Sequence, residues 1–180
     1  MKDMTVTLAP LAKDDREQFI LDNQLSFKYG ALQEFGARDD HIDADGEIIS
    51  RKTIEDSIDA GSHTYRIMAN GKKVGGAILN IDPATGHNHL DILFVAPEAH
   101  SKGIGQAAWH AIEALYPETQ VWETCTPYFE KRNIHFYVNK CGFHIVEFFN
   151  AYNVDPDSPP DAQDEGPDEM FRLVKVMQRR

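Results

Sequence analysis

The apolar positions alternate in some stretches and recur at helical spacing in others, which divides the chain into short elements. Thr5–Leu11 alternates through Val6 and Leu8 and ends at Pro10, the pattern of a short strand. From Lys13 to about Phe35, Phe19, Ile20, Leu25 and Leu32 recur at helical intervals, with a break expected at Gly30. Ser50 is placed to cap a helix over Arg51–Ala60, which carries Ile54 and Ile58 on one side and is followed by Gly61. The strands His63–Ala69 and Lys73–Ile81 flank Asn70-Gly71, a two-residue hairpin signal. After a turn at residues 82–86, Leu90–Val95 is almost wholly apolar, as a strand buried on both faces should be. Ile104, Ala108, Ala111, Ile112 and Leu115 then give a helix one apolar face. Gln120–Thr126 is a further strand, Asn133 is expected to cap a helix running to about Lys140, and Gly142 marks its left-handed stop. Phe143–Tyr152 and Phe171–Met177 are the last two strands. Between them, residues 153–169 hold four prolines and seven carboxylates without one Lys or Arg, which predicts an exposed excursion. These elements make one domain over residues 1–180, of mixed α/β (α+β) class.

The chemistry concentrates at residues 89–113. Pro97 ends the strand, and Gly103 and Gly105 open the helix after a loop that carries Ser101 and Lys102. A helix N-terminus has free amides, and glycines without a Cβ let a phosphate approach them closely. The loop is therefore expected to cradle an anion, a pyrophosphate above all. At the other end of the strand, His89, Asp91 and Leu93 share a face by the period of two, and His87 joins them if the strand begins earlier. A histidine titrates in the range a proton acceptor needs, and Asp91 is placed to orient it, relay a proton through water or hold a cationic substrate. Glu123 on the following strand ranks second.

Charge and cysteine content narrow the reading. With 29 acidic against 18 basic residues and a formal net charge of −11, general nucleic-acid binding is not expected. The acidity suits an amine substrate, although solubility alone accounts for it. No apolar run approaches membrane-spanning length and Met1–Thr5 has no signal-type segment, so no membrane partner and a cytoplasmic location are expected. Cys125 and Cys141 make neither a disulfide framework nor a metal set; Cys125 is the one candidate for a covalent route, and an inert buried thiol is the blander expectation. Gly103-x-Gly105-x-x-Ala108 with Glu123 fits a dinucleotide-binding pattern, implying an NAD-dependent oxidoreductase. Against it, seven residues separate strand from glycine and the motif follows an antiparallel hairpin. A metal site from His87, His89 and Asp91, with His63 or His41, has no second cluster to complete it.

His100-Ser101-Lys102-Gly103-Ile104-Gly105 resembles motif A of the GNAT superfamily of N-acetyltransferases, with His100 standing where the family carries Gln or Arg. Residues 133–143, Asn-Ile-His-Phe-Tyr-Val-Asn-Lys-Cys-Gly-Phe, resemble its motif B. Counted back from Gly142, the family's tyrosine position falls on Val138, while the Phe-Tyr pair sits one residue earlier. Either the helix bulges by one residue or Tyr137 is turned about 100° away. His89-Leu90-Asp91-Ile92-Leu93-Phe94-Val95 also resembles the histidine-bearing strand of the serotonin N-acetyltransferases.

The resemblance implies a central, mostly antiparallel mixed sheet of about six to seven strands with about four flanking helices, splayed between residues 89–95 and 120–126. Acetyl-CoA would lie in the gap against Leu93, Phe94, Val95, His100, Ser101, Lys102, Gly103, Ile104, Gly105, Gln106 and Asn133. It further implies direct attack by a primary amine, with His89 and Asp91 handling its proton and Tyr137 protonating the departing thiolate. An inactive acetyl-CoA-binding module is the alternative it leaves. The acceptor, a small molecule or a peptide or protein amine, would meet the first helices and residues 36–50, which hold Glu34, Asp39, Asp40 and Asp43. Phe148 and Phe149 could cover a homodimer contact.

Overall fold

The computed structural model describes residues 4–35, 46–158 and 169–178. The side chain of Glu34, with Asp39, Asp40 and Asp43, lies outside the described residues, as does most of the 153–169 excursion. A seven-stranded sheet forms the centre: β1 (Val6–Pro10), β2 (His63–Ala69), β3 (Lys72–Asn80), β4 (His87–Val95), β5 (Val121–Pro127), β6 (His144–Phe149) and β7 (Met170–Val176), in the spatial order β1-β2-β3-β4-β5-β7-β6. Every pairing is antiparallel except β4 with β5.

Helices cover both faces. On one side α1 (Arg16–Phe35) and α2 (Arg51–Ala60) bury Phe19, Ile20 and Ile54 against Ile78, Ile92 and Phe94. On the other, α3 (Ile104–Leu115) and α4 (Lys131–His135) enclose a larger core of Leu79, Leu90, Trp109, Ile112, Trp122, Tyr137, Phe143 and Leu173. Burial of these large side chains, about 1.5–3 kcal/mol each, is what outweighs the ordering of the chain.

Several local expectations are corrected. Gly30 does not break α1, which runs unbroken to Phe35 because Phe27 and Ala31 on either side of it are packed inward. Ser50 caps α2 as expected, accepting from the Thr53 amide at 3.0 Å. Gly61 does not adopt a left-handed conformation (φ −66°); an added Cβ would lie 2.7 Å from the Ser57 carbonyl, so close approach demands the glycine. Asn133 is not the cap of α4, which begins two residues earlier at Lys131. Phe149 points into the molecule, 4% exposed, whereas Ile145, Val146 and Phe148 form the exposed side of β6.

Two irregularities shape the site. Ile78 pairs with Ile92 and Leu79 with Leu90, so Asp91 is an extra residue that bulges from β4. And α4 continues not as α-helix but as a π-helical turn over Phe136–Cys141, closed by Gly142 at φ +82°. The one-residue surplus read in motif B is therefore absorbed as a wide turn.

Candidate active site

Strands β4 and β5 run parallel for only three pairs, His87–Val121, Asn88–Trp122 and His89–Glu123, and no ladder joins them beyond. At the point where it stops, the Thr124 hydroxyl donates to the Leu90 carbonyl at 2.8 Å, a side chain standing in for the next backbone bond. Further along the strand that borders the gap, the Thr126 hydroxyl is buried and has no partner among the protein atoms. A buried hydroxyl left open in this way is one a ligand can satisfy.

The bulge decides which groups meet at the mouth of the gap. It turns Asp91 onto the side of α1 and α2, the same side as Ile92, and so breaks the simple period of two. Leu93 does not share that face with His89 and Asp91; it packs on the opposite side, with Ile104 and Ala108 of α3. His89 Nδ1 donates to Asp91 Oδ1 at 2.6 Å. The other oxygen, Oδ2, accepts from Ser57 of α2 at 3.2 Å and from Asn80 of β3 at 3.1 Å. With three donors around it, Asp91 is an orienting carboxylate. The His89 ring is also hydrogen bonded to Cys125 on β5. Burial opposes its protonation, but the Asp91 carboxylate and the Cys125 sulfur outweigh that and hold its pKa up at about 10.

A second pair stands beside the first. His87 Nε2 donates to Glu123 Oε2 at 3.1 Å, and the same oxygen accepts from Arg172 of β7 at 3.2 Å. Arg172 reaches Glu147 of β6 as well, at 2.9 Å. Glu123 is thus tied into a structural network. Among the described residues no group of three or more His, Cys, Asp and Glu side chains is disposed to hold a metal ion.

At the far end of β4 the chain turns through a short loop into α3. Pro97–Ala99 is one turn of 3-10 helix; Ser101 (φ +63°) and Gly103 (φ +72°) are both left-handed, and Gly103 is the N-cap of α3 without any side-chain cap. The amides of Ile104, Gly105 and Gln106 have no intrahelical acceptor, so they face the loop as free donors at the positive end of the helix dipole. An added Cβ on Gly105 would approach the Phe136 ring to 3.2 Å, which seats α3 tightly on the start of the π turn. His100 does not reach outward as Gln or Arg would. Its Nε2 donates to the Val95 carbonyl at 2.6 Å, so Nδ1 carries the lone pair and accepts from Arg132 of α4 at 3.5 Å. Lys102 bends back onto the Glu98 carbonyl at 2.8 Å, and Gln106 spans to the Lys140 carbonyl at 3.1 Å. Asn133 is exposed on the first turn of α4.

Tyr137 is buried, 7% exposed, in the core beneath α3 and α4, and its hydroxyl is hydrogen bonded to Thr124. Burial raises its pKa, so the phenol keeps its proton. Sequence reading missed Thr124 and Arg132. Nothing in the alternation of β5 marks Thr124 as the tie across a splay. Arg132 was signalled only by its position next to Asn133.

Residues 29–143 match the acetyltransferase (GNAT) family. The chain belongs to the GNAT acetyltransferases. It is 46% identical over 177 residues to the uncharacterized protein YrkN of Bacillus subtilis strain 168, covering 94% of this chain and 93% of that one. Among solved structures, the ribosomal-protein-S18-alanine N-acetyltransferase of Escherichia coli superposes with a TM-score of 0.63 at 14% identity, over 98% of this chain and 96% of its own. The spermidine N-acetyltransferase of Vibrio cholerae, solved with CoA and spermine, gives 0.63 at 13% identity over 95% of each chain. At such identities the likeness is one of fold. The mixed seven-stranded sheet with its four helices is the GNAT fold, and a sheet with a single parallel pair does not fit a doubly wound dinucleotide-binding architecture, which is built on parallel strands. No helix among the described residues is long and apolar enough to cross a membrane.

Proposed function

We propose that this GNAT protein transfers an acetyl group from acetyl-CoA to a primary amine, by direct attack in a ternary complex. One juxtaposition carries the reading. Strand β4 has an anion cradle beyond its C-terminal end and the His89–Asp91 pair at its bulge, His89 lying six residues before Val95, with an open sheet edge between them. Six residues of strand span about 20 Å. The site therefore fits a donor whose anionic group is far from its reacting carbonyl, and acetyl-CoA is such a donor. Leu93, Phe94 and Val95 would line its arm, the residues His100–Gln106 its pyrophosphate, and Asn133 the arm's outer part.

The roles of the side chains follow from their surroundings. A lysine-like amine has a reference pKa of about 10.4, and His89 is held at about 10, so proton transfer between them is nearly balanced. Asp91 keeps the ring in place. Tyr137, protonated and joined to Thr124, is the acid for the thiolate that leaves. Unpaired β4 backbone amides at the open edge are placed to meet the carbonyl oxygen. The acceptor is a small amine or a peptide or protein amine; spermidine and a ribosomal-protein-S18 alanine, the acceptors named for the two structural neighbours, are the first to try. A cytoplasmic location belongs to the same proposal, as does a homodimer across the exposed side of β6, which sedimentation of the purified chain would show or remove.

A thermal-shift comparison of acetyl-CoA, CoA and NAD tests the donor. At 100 times its dissociation constant a ligand stabilises the fold by about 2.7 kcal/mol. Stabilisation by acetyl-CoA and CoA, followed by CoA release on adding an amine, is the expected result. Stabilisation by none of them would overturn the reading, and binding without CoA release from any amine would leave only a binding module.

A further inference from the structure

Helix α1 starts on the sheet and ends beyond it. Near its start the Phe19 ring meets Phe94 of β4 edge-on, with 5.1 Å between ring centres. Its last turns stand over the loop after β4 and over α4. There the Tyr29 ring lies 5.5 Å from that of His100, and Gln33 Oε1 accepts from Arg132 of α4 at 3.2 Å. The helix therefore passes along the opening where β4 and β5 part. Between these anchors its sheet-side face becomes polar and small, at Asn23, Ser26 and Gly30. Ser26 is occupied within the helix, giving its hydroxyl proton to the Asp22 carbonyl at 2.7 Å. Asn23 is not. It is 0% exposed, and neither its Oδ1 nor its Nδ2 has a partner among the protein atoms. A covered donor and acceptor left unpaired together are costly and rare. Gly30, about two turns further along, sits within about 20° of the same bearing around the helix axis. No atom lies within 4 Å of where its Cβ would stand, so space opens beneath α1 on the face that Asn23 shares.

We propose that Asn23 binds a secondary amide of a ligand lying in the opening beneath α1. A carboxamide presents an acceptor and a donor side by side. An ammonium would answer Oδ1 and leave Nδ2 unpaired, and a phosphate would do the reverse. A secondary amide answers both at once: its carbonyl accepts from Nδ2, and its N–H donates to Oδ1. Binding then forms the two hydrogen bonds that folding leaves open, while a ligand of similar length without the amide leaves Asn23 unpaired. Two ligands of the proposed reaction carry this group. One is the arm of the acyl-CoA donor, between its thioester and its phosphates; the other is a peptide-type acceptor, next to its amine. Naming these two rests on the acetyl-transfer reading, whereas the unpaired state of Asn23 does not.

Nuclear magnetic resonance on the nitrogen-15-labelled parent chain tests this without any substitution. The Nδ2 protons of Asn23 are followed during titration with acetyl-CoA and, separately, with a dialanine peptide or spermidine in the presence of CoA. A downfield shift, the mark of a hydrogen bond formed, is the expected result. If acetyl-CoA produces it, the donor's arm supplies the amide. If it appears only with the dialanine peptide, and not with spermidine, the acceptor supplies it. No shift with any of them overturns the proposal, and release of CoA from acetyl-CoA on adding an amine would then leave the acetyltransferase reading standing. A parent chain that acetyl-CoA does not stabilise, and that releases no CoA with any amine, sinks that reading instead. Asn23→Leu, which keeps the branching and removes both polar atoms, gives a second readout by thermal shift. Affinity for the ligand that shifted Asn23 should fall about tenfold. A purely structural Asn23 would behave differently: the melting temperature of the free variant would drop while the rise induced by each ligand stayed as in the parent, and that outcome also refutes the proposal. Should Asn23→Leu not fold, the resonances of the parent chain decide alone.

Discussion

At the scale of single residues, the His89–Asp91 pair sets the pH response. The ring's pKa is raised from 6.5 to about 10 in the folded chain, with burial opposing and Asp91 and Cys125 driving the rise. A group raised in this way stabilises the fold fully below its unfolded value near 6.5, and that contribution is lost as pH climbs through about 10. On the role proposed for His89, activity runs the other way, since the ring can accept a proton only when neutral. Acetyl transfer is therefore expected to rise with pH up to about 10 in the parent chain. Asp91→Asn removes the carboxylate, lowers the ring's pKa and should bring the rise to lower pH, measured against the same amine so that the acceptor's own ionisation is common to both. The variant should also be less stable than the parent at neutral pH, with the gap closing above pH 10. An unshifted profile would remove His89 as the proton acceptor. That these two residues belong together was legible from their spacing. Their relation to Leu93 was not, because a bulge is a property of two strands in register and β4 alone does not show it.

At the scale of elements, the loop that leads from β4 into α3 was the most legible part of the chain. Two glycines after a proline-terminated strand state a left-handed entry into a helix, and Gly103 has φ +72° with no atom within 4 Å of where a Cβ would stand. Gly103→Ala would thus meet no clash, only the cost of a left-handed conformation, about 1–2 kcal/mol. If the loop relaxes, the free amides of α3 turn away from the anion, and acetyl-CoA affinity should fall by up to about tenfold, 1.4 kcal/mol being one decade. A thermal-shift titration separates this from a fall in intrinsic stability, and unchanged affinity with unchanged stability would show that the cradle does not bind the donor. Motif B was legible in outline and ambiguous in register. The π turn over Phe136–Cys141 answers the register question, since one extra residue per turn keeps Tyr137 inward. Its hydroxyl reaches Thr124, a partner that lies on another element and so left no trace in the local pattern.

At the scale of the molecule, the sheet is two antiparallel halves, β1–β4 and β5-β7-β6, joined along a single short parallel seam. The order of elements announced both halves, but the length of the seam depends on side chains that span it. Packing of Trp109 on Trp122 at 5.3 Å between ring centres fastens the halves from beneath. Thr124 fastens them at the edge of the opening, giving its proton to the Leu90 carbonyl and holding the Tyr137 hydroxyl. Thr124 itself is 1% exposed, so water does not readily replace either bond. Thr124→Val keeps the volume and removes the hydroxyl, leaving a carbonyl and a phenol without their partner at about 1–3 kcal/mol for each orphaned group. For a chain of this size each kcal/mol lowers the melting temperature by about 2–4 °C. If the bond were only a brace, the loss would end there. If the seam sets the splay and aims Tyr137, the turnover rate with a saturating amine should fall as well, and Thr124→Ser, which restores the hydroxyl on a smaller side chain, should recover more of the rate than Thr124→Val. Equal rates in the two variants would mean that the opening between the halves is held by the core alone.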